Sequence, residues 1–482
     1  MNWLNFFKQK LSSSTLIKNG LWGITSSLIQ TVFISLFFVI LAREFNSSDF
    51  AEFLIASSIY QVIVAFSSLG LGQWFIREFD QQTDQENFTR KFVKVQTGLG
   101  IVFYVINILA VFLIYPDGQI RILAVILGSN IIFDNVIAAI KSLNVAEFKQ
   151  KKTFSILIID GFLRLALGII LIFHPISIIS LSILTIFLRF LTLNLFVKLG
   201  ASNLSVKSIL MVKVNWADLK EQILINWKFA IIGSMSVIYW RLSNIIIAKN
   251  LTLQDVANYE ISFRIFSIAM ILPTLASATV YSQFVKLNNL KDNEQKNTFY
   301  KNAIYLYSVF AIISYAFIYS FAKIILPLAF GNQYDEAISC LKEMFLTILI
   351  APTALLQATL IVSIKAEKTD MILNIISLLL NVVVSLIGLH YVKSLSVINY
   401  SILFSFLIFH AAQSIFLITK GVTTLVSAIK HYAILLIFVI AYHYLSDVIN
   451  PYILFIITAT VALGYLLRFF INKQSLRLTS NF

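Results

Sequence analysis

Ionised side chains inside long apolar runs are the residues of this chain best placed to do chemistry. Arg164, Arg189, Arg241 and Arg264 all lie in such runs, as do the carboxylates Asp134, Asp160 and Glu260. A charge in an apolar surrounding persists only where a partner, a water-filled space or a ligand compensates it. Asp160 precedes Arg164 by one helical turn, and Glu260 precedes Arg264 in the same way, so each reads equally as a locally neutralised packing pair or as part of a site. Arg189 and Arg241 have no acid within a turn, so their counter-charge must come from another helix, a cavity or a ligand. Guanidinium suits a phosphate ester or pyrophosphate, because its planar donors engage two oxygens at once and stay charged in any surrounding. The expected substrate-binding residues are therefore Arg189 and Arg241, with Arg164 and Arg264 beside them. Asp134, Asp160 and Glu260 are the candidates for ion coupling.

Other chemistries find little support. No Gly-Lys dipeptide occurs, so a Walker-type phosphate loop is absent, and the pairs Gly70/Gly72 and Gly98/Gly100 lack the third glycine of a dinucleotide fingerprint. His174, His390, His410, His431 and His443 are scattered and read as isolated interfacial residues, and Cys340 is the single cysteine. Catalytic residues, a metal site and a bound cofactor are not expected; Na⁺ or H⁺ coupling, or the membrane potential, would supply the energy.

The elements that must position these charges follow from composition. Of 482 residues 59% are hydrophobic and 12% charged, against about 25% charged in soluble globular domains. A soluble enzyme is excluded. Runs of about 20 apolar residues, the length that crosses a bilayer as helix, recur at Leu21–Leu41, Phe50–Leu71, Phe92–Tyr115, Ile120–Leu143, Phe154–Phe173, Ile176–Val197 and Asn226–Ala248. They continue at Ala257–Phe284, Ala303–Leu326, Ile338–Ile364, Met371–Val392, Leu395–Thr419, Tyr432–Leu445 and Tyr452–Ile471. The fold class is thus an all-α polytopic membrane protein with about 14 transmembrane helices. The thirteenth run is short and carries His443. Pro273 and Pro352 fall inside the eighth and tenth runs, where a lost backbone hydrogen bond predicts a kink and a candidate hinge.

Charge fixes the expected orientation. The net charge is +14, and placing the amino terminus in the cytoplasm puts 26 Lys and Arg on inner segments against five, Arg43, Arg121, Lys249, Lys323 and Lys393, on outer ones. Both termini are then cytoplasmic, and the basic excess is a topology signal with affinity for anionic lipid rather than for nucleic acid. The outer turns are too short for a folded catalytic module. The amino-terminal segment Met1 to Asn19 is polar and the run after it is long, so no cleavable leader is expected.

The chain also carries a repeat. Shifted by 206 positions, Ala42-Arg43 aligns with Ala248-Lys249, Asp49 with Asp255, Ala51 with Ala257 and Phe53 with Tyr259. Ala146-Glu147 matches Ala366-Glu367 at a later turn. An even number of spans separates the copies, which predicts two parallel six-helix lobes related by a pseudo-two-fold axis along the membrane normal. The expected domains are an amino-terminal lobe over 1–198 (spans 1–6), a cytoplasmic interlobe loop over 199–225, a second lobe over 226–420 (spans 7–12), and spans 13–14 with a cytoplasmic tail over 421–482.

The run Leu41-Ala42-Arg43-Glu44-Phe45, Phe50, then Ser68-Leu69-Gly70-Leu71-Gly72, resembles the polysaccharide-exporter, O-antigen flippase branch of the multidrug/oligosaccharidyl-lipid/polysaccharide (MOP) flippase superfamily. So do Tyr239-Trp240-Arg241-Leu242-Ser243 with Ala257-Asn258-Tyr259, and Leu326-Pro327-Leu328 with Phe330-Gly331-Asn332-Gln333-Tyr334. One departure stands out: where family members often carry an acid two residues after the seventh-span arginine, this chain has Ser243. The resemblance implies a flippase, not an enzyme, that moves a polyprenyl-pyrophosphate-linked glycan outward across a bacterial inner membrane by alternating access through a cationic cavity. It implies the lipid bilayer and that lipid-linked glycan as partners, with a glycan polymerase and chain-length proteins as further ones. A cation-coupled multidrug exporter, a peptidoglycan-precursor flippase and, further off, a membrane glycan polymerase or ligase are the rival readings.

Overall fold

Side-chain caps set the helix starts. Asn46 Oδ1 accepts from the Asp49 amide at 2.8 Å while its Nδ2 donates to the Asp49 carboxylate at 2.9 Å, so two otherwise unmet groups are satisfied reciprocally. Thr252 and Asp255 repeat the device, Thr252 Oγ1 accepting from the Asp255 amide at 3.2 Å and the Asp255 carboxylate accepting from the Thr252 amide at 3.0 Å. This pair of caps is the structural content of the 206-residue repeat at these turns.

The computed structural model describes residues 15–115, 118–200, 204, 206–290 and 293–479. Among them there is no strand. The chain divides into two compact units, Met1–Ala257 and Asn258–Phe482. The first holds α1 (Thr15–Glu44), α2 (Ser47–Ser67), α3 (Leu71–Glu78), α4 (Gln85–Ile114), α5 (Gln119–Gly128), α6 (Asn130–Ala146), α7 (Gln150–Phe173), α8 (Ile178–Leu195), α9 (Val206–Met211) and α10 (Trp216–Asn250). The start of α11 (Leu253–Asn289) also belongs to it, and the rest of α11 opens the second unit. There follow α12 (Asn293–Phe330), α13 (Glu336–Ile348), α14 (Ala351–Ser363), α15 (Glu367–Tyr391), α16 (Leu395–Thr419), α17 (Leu425–Val448) and α18 (Pro451–Thr479).

Twelve helices among the described residues are long and apolar enough to cross a membrane, each break within the second, fourth, sixth and tenth spans being counted as part of one span. Helices α10 and α18 occupy the seventh and fourteenth expected runs, so the all-helical membrane fold expected from composition is the fold observed. The thirteenth run, short in sequence, is a full helix of 24 residues, α17. Helix α10 starts at Trp216 rather than Asn226, and α9 lies in the stretch expected to be loop.

The outside is apolar, and the apolar interior also encloses many polar side chains. Large apolar residues such as Leu113, 86% exposed, and Leu328, 75% exposed, cover the outside. Asn107, Asn144, Ser182, Thr192 and Asn244 are fully enclosed. In lipid there is no hydrophobic gain from pressing helices together, so packing and interhelical hydrogen bonds hold them.

The breaks in the fourth and tenth spans have side-chain causes. In the fourth, Asn107 of α4 reaches into the gap between α5 and α6 and donates to the Ala124 carbonyl at 3.0 Å. A Cβ on Gly128 would stand 2.1 Å from that Asn107 amide nitrogen, so only glycine admits it. In the tenth span the break falls at Leu349–Ile350, and Pro352 sits in the first turn of α14. There its missing N–H costs nothing, because that group lacks an intrahelical partner anyway. Pro352 therefore starts a helix and does not kink one. Pro273 does lie inside the continuous helix α11.

The second repeat match needs a correction. Phe148 and Lys365 are the left-handed residues of the two turns, with φ of 56° and 61°. Lys149 donates to the Asn144 carbonyl and Ala366 to the Ile361 carbonyl, closing matched helix ends. Structural equivalence thus pairs Phe148 with Lys365, three residues out of the register that aligned Ala146-Glu147 with Ala366-Glu367.

Candidate functional site

Inside the first unit, four helices bring charges together. Arg189 of α8 donates to the Asp134 carboxylate of α6. Its other terminal nitrogen lies 3.8 Å from Asp160 Oδ1 on α7. Arg164 Nε donates to Asp160 Oδ2 at 3.2 Å, one turn along the same helix. Thr192, a turn beyond Arg189, donates to Asp160 Oδ1 at 2.7 Å, and Tyr60 of α2 donates to Asp134 Oδ2 at 2.6 Å. Each carboxylate oxygen named here therefore has a donor. The side chain of Asp160 is 3% exposed, that of Arg189 17% and that of Arg164 22%, so Arg164 is the most accessible of the three.

Arg189 finds counter-charge on two other helices. The guanidinium is held by two carboxylates, the first of the three sources that its sequence surroundings left open. The Asp160–Arg164 pair forms as its spacing implied. Lys141, counted among the inner-loop cations on sequence, instead lies within α6 with its ammonium 5.8 Å from the Phe196 ring centre, in electrostatic reach of Arg189, Asp134 and Asp160. The ion-paired set is two guanidiniums and two carboxylates, with the Lys141 amine beside it.

The remaining expected residues stand elsewhere. Arg241 is half-buried on α10; three residues on, Asn244 is buried and donates to Ser58 of α2 at 2.9 Å. Ser243, at the position of the family's acid, is buried and offers no charge. Glu260 is buried and Arg264 half-buried on α11 in the second unit. Pro273 lines a cleft of about 540 Å³ between α11 and α12, with Leu272, Ala276, Val280, Leu306 and Phe310. Tyr307 donates to the Pro273 carbonyl across that cleft at 3.2 Å.

Sequence reasoning missed Tyr60, Thr192 and Lys141 as members of the cluster. It also read His410 and His431 as isolated, whereas their rings lie 5.4 Å apart in the second unit. They are 21 residues apart on different helices, so no helical spacing could signal the pair. Among the described residues no group of three or more His, Cys, Asp and Glu is disposed to hold a metal ion.

A family model described as "Polysaccharide biosynthesis protein" matches residues 40–339, more than half of the chain. No curated protein sequence matches. Among solved structures, the chain is similar to an inward-facing multidrug resistance MATE family transporter of the MOP superfamily, with a TM-score of 0.71 at 15% identity over 81% of this chain and 94% of that one. It is similar to the lipid II flippase MurJ in an inward closed conformation, with a TM-score of 0.68 at 16% identity over 94% of this chain and 99% of that one. It is also similar to a MOP superfamily transporter from Pyrococcus furiosus, whose binding pocket is described as reversed in polarity, with a TM-score of 0.58 at 14% identity over 84% and 94% of the two chains. The part of the chain outside the MurJ alignment is shorter than residues 421–482, so that similarity reaches into the carboxy-terminal helix pair. The fold is that of the MOP superfamily.

Proposed function

The chain belongs to the polysaccharide biosynthesis protein family, and from that premise we propose that it is a flippase for a polyprenyl-pyrophosphate-linked glycan. It moves the glycan from the cytoplasmic to the outer leaflet of a bacterial inner membrane, with both termini in the cytoplasm. The observation that carries the reading is the cluster of Arg164 and Arg189 with Asp134 and Asp160, and Lys141 beside it, inside the membrane-spanning part of the first unit. A pyrophosphate brings two or more negative charges. Arg164, whose side chain is the more exposed, can turn donors toward phosphate oxygens while Thr192 and Arg189 keep Asp160 satisfied. Only the head group then needs a protein-lined path, and the isoprenoid tail stays in lipid. Arg241 and Arg264 are further candidates for contact with the head group.

Energy need not come from ATP. Each negative charge carried outward gains about 2.3 kcal/mol per 100 mV of inside-negative potential, so two gain about 4.6 kcal/mol. The test is reconstitution of the whole chain with a fluorescent lipid-linked oligosaccharide, its arrival in the outer leaflet being read by a quencher. Arg164→Gln should slow arrival at least about tenfold, the loss of one charge-assisted bidentate contact of about 1.5–3 kcal/mol, and collapsing the potential should slow the parent protein. Normal flipping by Arg164→Gln removes that residue from the site. No transport of the anionic lipid under any potential overturns the function.

Multidrug export has one observation in its favour, the two intramembrane carboxylates Asp134 and Asp160. Both are held by arginine, which leaves a drug cation no free acid in this cluster. Unchanged drug susceptibility in a deletion strain is the expected outcome.

A further inference from the structure

A small cavity of about 110 Å³ with polar groups on its wall lies in the second unit among α12, α14, α16 and α17, outside the charge cluster. His410, His431, Gln357, Tyr300, Ser414 and Lys301 are on its wall. Leu356, Leu360 and Leu417 belong to the apolar core cluster that also contains Tyr300. His410 is 1% exposed. Its Nδ1 pairs with the Tyr432 hydroxyl at 2.6 Å, and the Nδ1 of His431 lies 3.5 Å from the Ser308 hydroxyl. Gln357 Nε2 donates to Tyr300 at 3.0 Å and to Ser414 at 2.9 Å. Three buried atoms of this wall are left with no hydrogen-bond partner: His410 Nε2, His431 Nε2 and Gln357 Oε1.

We propose that the His410–His431 pair is a proton-binding site, taking up one proton through this cavity and sharing it between the two rings. A neutral imidazole has one nitrogen that donates and one that accepts, so two rings this close, each with a nitrogen unengaged, have room for one added proton and the water that delivers it. A second proton would set two cations 5.4 Å apart. The titratable and charged groups on the cavity wall or bonded to the pair are Tyr300 and Lys301 from α12 and Tyr432 from α17; no carboxylate lines the cavity. With no acid to neutralise the added charge, only water can solvate it. Occupancy then depends on whether the cavity is open to water, and a group whose proton affinity differs between two conformations couples the proton to their exchange. The coupling half rests on the reading of the chain as an alternating-access transporter; the binding half does not.

The test uses the full chain in nanodiscs with ¹⁵N-labelled histidine, imidazole shifts being followed from about pH 8 to about pH 4. His410→Gln and His431→Gln assign the two resonances. The expected result is a shared midpoint with one proton taken up by the pair, and displacement of the remaining histidine's midpoint in each single variant. Tyr432→Phe, which keeps both imidazoles, should move the shared midpoint without abolishing it. Resonances that stay neutral throughout, or that titrate independently like exposed imidazoles, overturn the site. In liposomes with the potential clamped, a pH gradient should change flipping of the labelled lipid several-fold in the parent, with the effect lost in the His410→Gln/His431→Gln double variant. Flipping that ignores the gradient beside a paired titration overturns the coupling. A paired titration with no lipid transport at all overturns the proposed function and leaves the proton site standing.

Discussion

Asp160 holds more of the candidate site together than any other single side chain, since Arg164, Thr192 and Arg189 all converge on it from α7 and α8. Replacing it by alanine leaves the half-buried Arg164 without its carboxylate and Arg189 with Asp134 alone, and breaking a buried pair costs about 3–5 kcal/mol. Asp160→Ala is thus expected to lower the thermal unfolding midpoint of the detergent-solubilised protein sharply. Thr192→Val, which removes one hydrogen bond to a charged group, should cost about 1.5–3 kcal/mol. Equal midpoints for Asp160→Ala and the parent would show that the cluster contributes nothing to stability. Of these partners only Arg164 was legible in the sequence, because four residues on one helix is a fixed neighbour distance. Asp134 and Arg189 are 55 positions apart and Tyr60 and Asp134 are 74, and nothing in local periodicity relates helices that meet only on folding.

At the scale of elements, irregular helix geometry was half visible. Pro352 signalled a disturbance of the tenth span, but the disturbance is a break two residues earlier, and the proline fits the turn that follows. The break in the fourth span has no proline at all; its signature is a glycine in α5 and an asparagine in α4 that fills the gap. Gly128→Ala should therefore expel the Asn107 amide and destabilise by about 1–3 kcal/mol, the cost of leaving a buried polar group unmet. Asn107→Ala alone should cost a similar amount. The double variant should cost clearly less than the two together, because one arrangement is lost in both cases. Strict additivity in thermal unfolding would mean that the two residues act separately. Cap residues were the better guide: Asn46 with Asp49 and Thr252 with Asp255 mark matched turns by the chemistry of their side chains, and the apolar residues that surround them do not.

For the whole molecule, composition and run length were sufficient to give the fold class, because a bilayer admits few ways to satisfy a backbone. The interior partnership of His410 with His431 was not legible, since each histidine by itself looks like an interfacial residue. Orientation is a matter of counting inner and outer cations, and it can be checked directly. Lys393→Cys is expected to react with a membrane-impermeant maleimide added to the periplasmic side of spheroplasts, and Lys420→Cys only after the membrane is opened. The reverse pattern would invert the topology.

Cys340 itself lies 3% exposed against α16, where Asn399 donates to its carbonyl at 3.2 Å and to its sulfur at 3.4 Å. A thiol so enclosed is shielded from reagents in either compartment, so the unaltered chain is close to a blank background for spectroscopy. Paired nitroxides or fluorophores placed on new surface cysteines can then serve as rulers of its conformational cycle without first rebuilding the protein.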